Sequence, residues 1–354
     1  MTWNVRIRDG HHNNWTILRL VMALAVLVGH AMIISQRSLA AEPMVYADYS
    51  ISYMAVNAFF IASGFLVTAS IMHRRNILDF ATARGLRIYP ALIVHVLLVM
   101  FVVGAANTAL PLGQYIASPD VWKHIPLVLS FSDTDFVLPG VFLDNHEHLA
   151  SAPLWTLRYE LLAYFGTAIA FAVGFMRSRW LVAAQFALFC ALWLIANGNG
   201  FFEDLPPTVA NILRFGLPYS FGAMVWAFRD DLCFRVWLLP LVMFAAVISA
   251  GTLVGELIMN GAVGYVLFTL AYMPVFANNA KWSDVSYGTY IWHWPILQWI
   301  AAKAPGIGSL EITLLALPLT LLVSWVSWKA VEKPMLAHKG TLARKLQRRK
   351  PVLA

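Results

Sequence analysis

Ile17-Leu18-Arg19-Leu20-Val21-Met22-Ala23-Leu24-Ala25-Val26-Leu27-Val28-Gly29-His30-Ala31-Met32-Ile33-Ile34-Ser35 is long and apolar enough to cross a bilayer as a helix, and it carries two ionisable side chains. Arg19 and His30 are eleven residues apart. At ~100° per residue they return to nearly the same face, roughly 16 Å apart along the axis. Ionisable groups inside a span are costly and face a protein interior or a wet cavity. One polar stripe therefore runs from near one leaflet toward the other, a geometry suited to chemistry or transport across a membrane.

The rest of the chain has the same character. Of its 354 residues 60% are hydrophobic and only 12% charged, with a mean hydropathy of +0.68. Soluble domains carry about 25% charged residues. The reading is an all-α, polytopic helical membrane protein. No internal repeat, linker or low-complexity tract breaks it, so a single integral-membrane domain over 1–354 is expected. The two cysteines, Cys190 and Cys233, make no disulfide framework. Ser38-Leu39-Ala40 resembles a signal cleavage site. The first apolar run is too long for that and is interrupted by Arg19 and His30, so retention as a span is expected.

About ten apolar segments can be marked: 17–35, 52–72, 88–108, 154–175, 180–196, 211–228, 236–250, 254–276, 286–302 and 311–329. The long connection 109–153 holds a moderately apolar piece, Val121 to Phe131, expected to lie in the interface or re-enter. Orientation follows from Lys and Arg. With the N-terminus inside, nineteen of them fall in cytoplasmic segments and three (Arg37, Lys123, Lys303) in outer ones. Both termini are expected in the cytoplasm. The basic tail from about 330 to 354 suits anionic lipid headgroups, so the pI of 9.5 calls for no nucleic-acid partner.

Depth now selects residues. His30 lies about five residues from the outer end of span one, and Glu160 about six residues below the outer end of span four. Both sit roughly 8 Å inside the outer leaflet. A His and a carboxylate at one depth suggest a base and its partner; a structural ion pair is the plainer alternative. Arg158 points to another face from Glu160, suited to headgroup snorkelling or an anionic acceptor. Asn57 reads as a helix–helix hydrogen bond.

On the inner side, the loop from His73 to Pro90 is dense in arginine. Arg84 and Arg87, at i and i+3, share a helix face, and guanidinium forks suit a phosphorylated ligand. Arg74 and Arg75 are explained by topology alone. In span nine Ser286, Tyr290 and His293 fall at i, i+4 and i+7, a polar stripe able to line a ligand path. Ser63-Gly64-Phe65 places small residues mid-span, for close helix packing or a narrow passage. His146-Glu147-His148 with Asp144 lies in the outer connection and reads as solvated or acceptor-facing; no metal site is expected.

Together these residues resemble the acyltransferase-3 family of integral-membrane O-acyltransferases. The resemblance rests on Arg19-x10-His30, Ser63-Gly64-Phe65, Arg84-x-x-Arg87 before Ile88-Tyr89-Pro90, Trp155-Thr156-Leu157-x-x-Glu160, Tyr290-x-x-His293-x-Pro295 and Glu332-Lys333-Pro334, in order over nearly the whole chain. Thr156 stands where the family often has serine. The resemblance implies transfer of an acyl group, acetyl by analogy, from cytoplasmic acyl-CoA to a hydroxyl of a glycan or lipid-linked acceptor outside, in a bacterial inner membrane, with no permanently bound cofactor. On that reading Arg84 and Arg87 hold CoA phosphates, with Tyr290, His293 and Ser63 on the donor path. Arg19 lines that path or steadies the thioester. His30 is the general base and Glu160 orients or charges it. An acyl-histidine intermediate is equally compatible. A transporter or exporter of an anionic or glycolipid substrate also uses intramembrane His, Glu and Arg; it lacks support from repeats or matched broken helices. A scaffold in a glycan-assembly complex leaves His30 and Glu160 unexplained.

Overall fold

The structure, a computed structural model, describes residues 4–7, 13–274 and 282–340. Arg8, Lys281 and the basic tail beyond 340, which entered the charge reading, lie outside the described residues.

The chain is all-α apart from two short antiparallel pairings. In order it forms β1 (Asn4–Arg6), α1 (Trp15–Gln36), β2 (Met44–Tyr46), β3 (Tyr49–Ser50), α2 (Ile51–Arg74) and α3 (Ile77–Leu98). A π-helical turn, Val99–Gly104, carries α3 into α4 (Ala105–Asn107). Then come α5 (Leu112–Ala117), α6 (Pro119–Leu129), α7 (Trp155–Ala172), α8 (Arg179–Gly198), α9 (Pro207–Ala227), β4 (Cys233–Arg235), α10 (Leu239–Ser249), α11 (Gly255–Tyr272), α12 (Ser286–Lys303), α13 (Ser309–Ser327) and α14 (Lys333–Ala337). β1 pairs with β4, and β2 with β3.

Each of the ten expected segments contains a helix. Five helical stretches among the described residues are long and apolar enough to cross a membrane: Trp15–Gln36, Ile51–Arg74, Ile77–Asn107, Arg179–Gly198 and Ser309–Ala337. Two boundaries differ from expectation. The third helix begins at Ile77, not near 88, so Arg84 and Arg87 lie within α3 and only Arg75 and Asn76 separate it from α2. Apolar Ile77, Leu78, Phe80 and Leu86 extend the helical pattern backward, and Asp79 sits favourably in the first turn. The seventh segment yields only the 11-residue α10, with Pro240 in its first turn.

By internal contacts the chain divides into two compact units. The first takes residues up to Met22, Met44–Ile77 and Tyr159–Trp282. Here α2 and α9 meet backbone to backbone. A Cβ added at Gly64 would lie 1.9 Å from the Tyr219 carbonyl oxygen, and one at Gly222 would lie 2.0 Å from that of Ile61. The Ser63-Gly64-Phe65 motif is thus a site of close packing. Trp193, Ala196, Leu213 and Leu217 form the α8–α9 core. Asn57 donates to Asn260 Oδ1 at 3.2 Å, the expected interhelical hydrogen bond. Glu256, buried at the start of α11, accepts from Tyr49 (2.9 Å) and Tyr53 (2.7 Å). A buried carboxylate needs such donors.

The second unit takes Ala23–Pro43, Leu78–Arg158 and residues from Ser283 onward. Its core joins Ala31 and Ile34 of α1 to Trp294 and Leu297 of α12 and to Ile312 and Ala316 of α13. The 109–153 connection is ordered by specific bonds. The Tyr115 hydroxyl donates to the Met100 carbonyl at 2.9 Å, and Gly104 makes room for it. The expected apolar piece is α6, and Arg158 caps the turn after it. Its Nε and Nη2 donate to the carbonyls of Phe131 (2.6 Å) and Ser132 (2.8 Å), so this guanidinium holds backbone.

Candidate active site

The second unit assembles most of the expected site residues around α12. His30 is half-buried on α1, and its Nδ1 lies 2.8 Å from Nε2 of His293, which is fully buried. The rings are nearly parallel, 23° apart with centroids at 5.1 Å. Trp294 meets His30 edge-on at 5.0 Å, and its own Nε1 donates to the Leu149 carbonyl at 2.8 Å. The His30 ring is therefore held on two sides.

The rest of the α12 stripe is engaged with protein. The Tyr290 hydroxyl and Thr156 Oγ1 are 2.6 Å apart, and Thr156 also donates to the Pro153 carbonyl. This bond ties the Tyr290-x-x-His293 motif to the Trp155-Thr156 motif and gives the hydroxyl at 156 its use. Ser286 donates to Asp284 Oδ1 at 2.7 Å. Further along, the Gln298 amide donates to the carbonyls of Glu147 and Leu149, and Asn145 donates to Gln298 Oε1.

Arg84 and Arg87 differ. Arg87 is paired twice, with Asp284 Oδ2 at 2.8 Å and Glu332 Oε2 at 3.3 Å, and lies over the rings of Tyr287 and Trp328. Ser327 donates to the other Glu332 oxygen at 3.2 Å. Expected to grip phosphate, Arg87 here joins α3 to the start of α12 and the end of α13. This gives Glu332-Lys333-Pro334 a physical role. Arg84, one turn earlier, is partly exposed, with its guanidinium 5.8 Å from the Phe80 ring centre.

In the first unit Glu160 accepts from the Tyr164 hydroxyl and from Ser63 Oγ, the latter at 3.4 Å. Two expected residues, Ser63 and Glu160, are thus brought together. Arg19 sits partly buried on α1. His30 and Glu160 belong to different units, and each has its own partners.

Pairing of His30 with His293, 263 residues apart, escaped the sequence analysis, as did Asp284 altogether. Both motif histidines were visible; nothing in their spacing tied one to the other. Among the described residues no group of three or more His, Cys, Asp or Glu could hold a metal ion.

A helix apolar enough to cross a membrane thus carries His30 of the histidine pair in the second unit, and the tyrosine-bound carboxylate lies in the first. Residues 12–329 match the sequence model of the acyltransferase-3 family, described as an acyltransferase domain, and the chain belongs to that family. It is 27% identical over 341 residues to an O-acetyl transferase of Shigella phage Sf6, covering 93% of this chain and 97% of that protein. It is 24% identical over 378 residues to nodulation protein 10 of Rhizobium leguminosarum bv. viciae, covering 96% and 97%. No solved structure matches it.

Proposed function

We propose that the protein is an O-acyltransferase of the bacterial inner membrane. It moves an acyl group, acetyl in the simplest case, from cytoplasmic acyl-CoA to a hydroxyl of a glycan or lipid-linked glycan on the outer side. The observation that carries this reading is the buried imidazole contact of His30 within a chain of this family. A half-buried histidine backed by a fully buried one suits general-base work on a hydroxyl.

His30 is the general base, and Glu160 is a second residue that transfer requires. Arg84 takes CoA phosphate, and Arg87 shapes the inner end of α12 beside it. Arg19 lines the donor path. The chain works as one membrane domain of about ten spans with both termini in the cytoplasm, its basic tail against anionic lipid. Two measurements test this. Purified protein should release CoA from acetyl-CoA when an acceptor glycan is supplied. Surface glycans from cells lacking the gene should lose an acyl mass. An unchanged glycan mass, with no thioester consumed, would overturn the assignment.

A further inference from the structure

His293 was expected on the donor path, and its hydrogen bonds point to a further task. Its Nδ1 lies 3.2 Å from the Thr289 carbonyl oxygen one turn earlier, and its Nε2 lies 2.8 Å from His30 Nδ1. A carbonyl oxygen only accepts, so the hydrogen of His293 sits on Nδ1. In a neutral imidazole the other nitrogen then only accepts. Nε2 of His293 must receive its hydrogen from His30. It follows that His30 carries hydrogen on Nδ1 and its lone pair on Nε2. A doubly protonated His293 would reverse this. It would also place a cation in a fully buried ring whose partners, a carbonyl and an imidazole, include no anion, a costly arrangement.

We propose that His293 is a positioning residue that fixes His30 in the Nδ1–H tautomer, making Nε2 of His30 the atom that takes the acceptor's hydroxyl proton. This rests on the acyl-transfer reading above. As the acceptor oxygen bonds to the thioester carbonyl carbon, its proton passes to Nε2 of His30. The carbon–sulfur bond breaks, and the same proton moves from Nε2 to the leaving thiolate. Between the two transfers the His30 imidazolium donates from Nδ1 to the lone pair of His293, a charge-assisted bond. In serine proteases a carboxylate holds the catalytic histidine in this tautomer, and enforcing the wrong one costs about 10⁴-fold in rate. Here a buried imidazole does the orienting, and Trp294 blocks the ring from turning away.

The test has two arms. Nitrogen NMR of histidine-labelled wild-type protein in lipid should find His30 with hydrogen on Nδ1 and a bare Nε2. His293→Leu should shift that hydrogen to Nε2. In turnover, His293→Leu should lose about 10²–10⁴-fold in kcat with KM for acetyl-CoA unchanged. His293→Gln, whose amide oxygen can accept from His30, should recover a large part of the loss. Wild-type His30 protonated on Nε2, or a His293→Leu enzyme whose defect lies in acetyl-CoA KM alone, would overturn the proposal. Wild-type protein that transfers no acyl group defeats the functional reading instead, and the NMR arm still decides the tautomer.

Discussion

Arg87 Nη2 lies 2.8 Å from Asp284 Oδ2, which fixes the middle of α3 to a residue two positions before α12. The same guanidinium reaches Glu332, whose side chain is 1% exposed. Removing one partner from a buried ion pair strands the other and costs about 3–5 kcal/mol. Arg87→Ala should therefore lower thermal stability by an amount of that order. Arg84→Ala should raise KM for acyl-CoA. Arg84→Lys should restore binding only in part, since a point charge replaces a fork. Melting curves and KM for both variants decide it; an Arg87→Ala protein as stable as wild type removes the pin.

A second expectation concerns the chemistry. His30→Ala should lose about 10²–10⁴-fold in transfer rate, toward the severe end, while still folding and binding acyl-CoA. Glu160→Gln keeps the shape but not the charge, and should also be severe. If the two act as a unit, the double variant is scarcely worse than the worse single one. Near wild-type acylation by His30→Ala would reopen the transporter reading.

A third follows from the α2–α9 contact. At Gly64 even a methyl group meets the Tyr219 carbonyl at 1.9 Å, and backbone cannot move aside cheaply. Gly64→Ala should destabilise by about 1–3 kcal/mol, near the upper end. Gly166 has nothing within 4 Å of its added Cβ, so Gly166→Ala should be neutral or slightly stabilising through helix propensity. Equal melting temperatures for the two variants would contradict this packing.

The 109–153 connection should respond to acid. Both ring nitrogens of His124 are buried without a hydrogen-bond partner among the described residues, and burial pulls the group down to about 4 against the opposing charge of Asp133. Its folded value lies below the unfolded one of about 6.5. Between those values the unfolded connection binds the extra proton, so stability is present above pH ~6.5 and falls as pH drops toward ~4. At about 1.4 kcal/mol per pH unit the loss approaches ~3 kcal/mol. Hydrogen exchange over residues 112–129 should quicken in that window, and His124→Phe should flatten the response. Exchange protection independent of pH would refute it.

Topology gives the fifth. A cysteine introduced at Asp133 should react with an impermeant reagent from outside, and one at Ser178 should not. The reverse pattern would undo the depth argument for His30 and Glu160.

Much of this was legible in sequence because helices in lipid leave a simple record. Each of the ten apolar runs holds a helix, and the cost of burying charge drew attention to Arg19, His30 and Glu160. Partners were not legible. His30 finds His293 and Arg87 finds Asp284 and Glu332 through tertiary packing, which no local spacing encodes. The start of α3 was missed because Asp79, Arg84 and Arg87 dilute an amphipathic turn that a search for continuous apolar runs passes over. Arginine density read as ligand affinity; the pairing of Arg87 with Asp284 and Glu332 was not legible in it.

Helix α12 is tied at Ser286 to Asp284, at Tyr290 to Thr156, at His293 to His30, and at Trp294 and Gln298 to the carbonyls of the 147–149 stretch. Turning it by one residue, ~100°, would break all of these bonds together. For anyone redesigning the enzyme toward another acceptor, α12 is the element to leave unaltered, and variation belongs in segments whose side chains are not already committed.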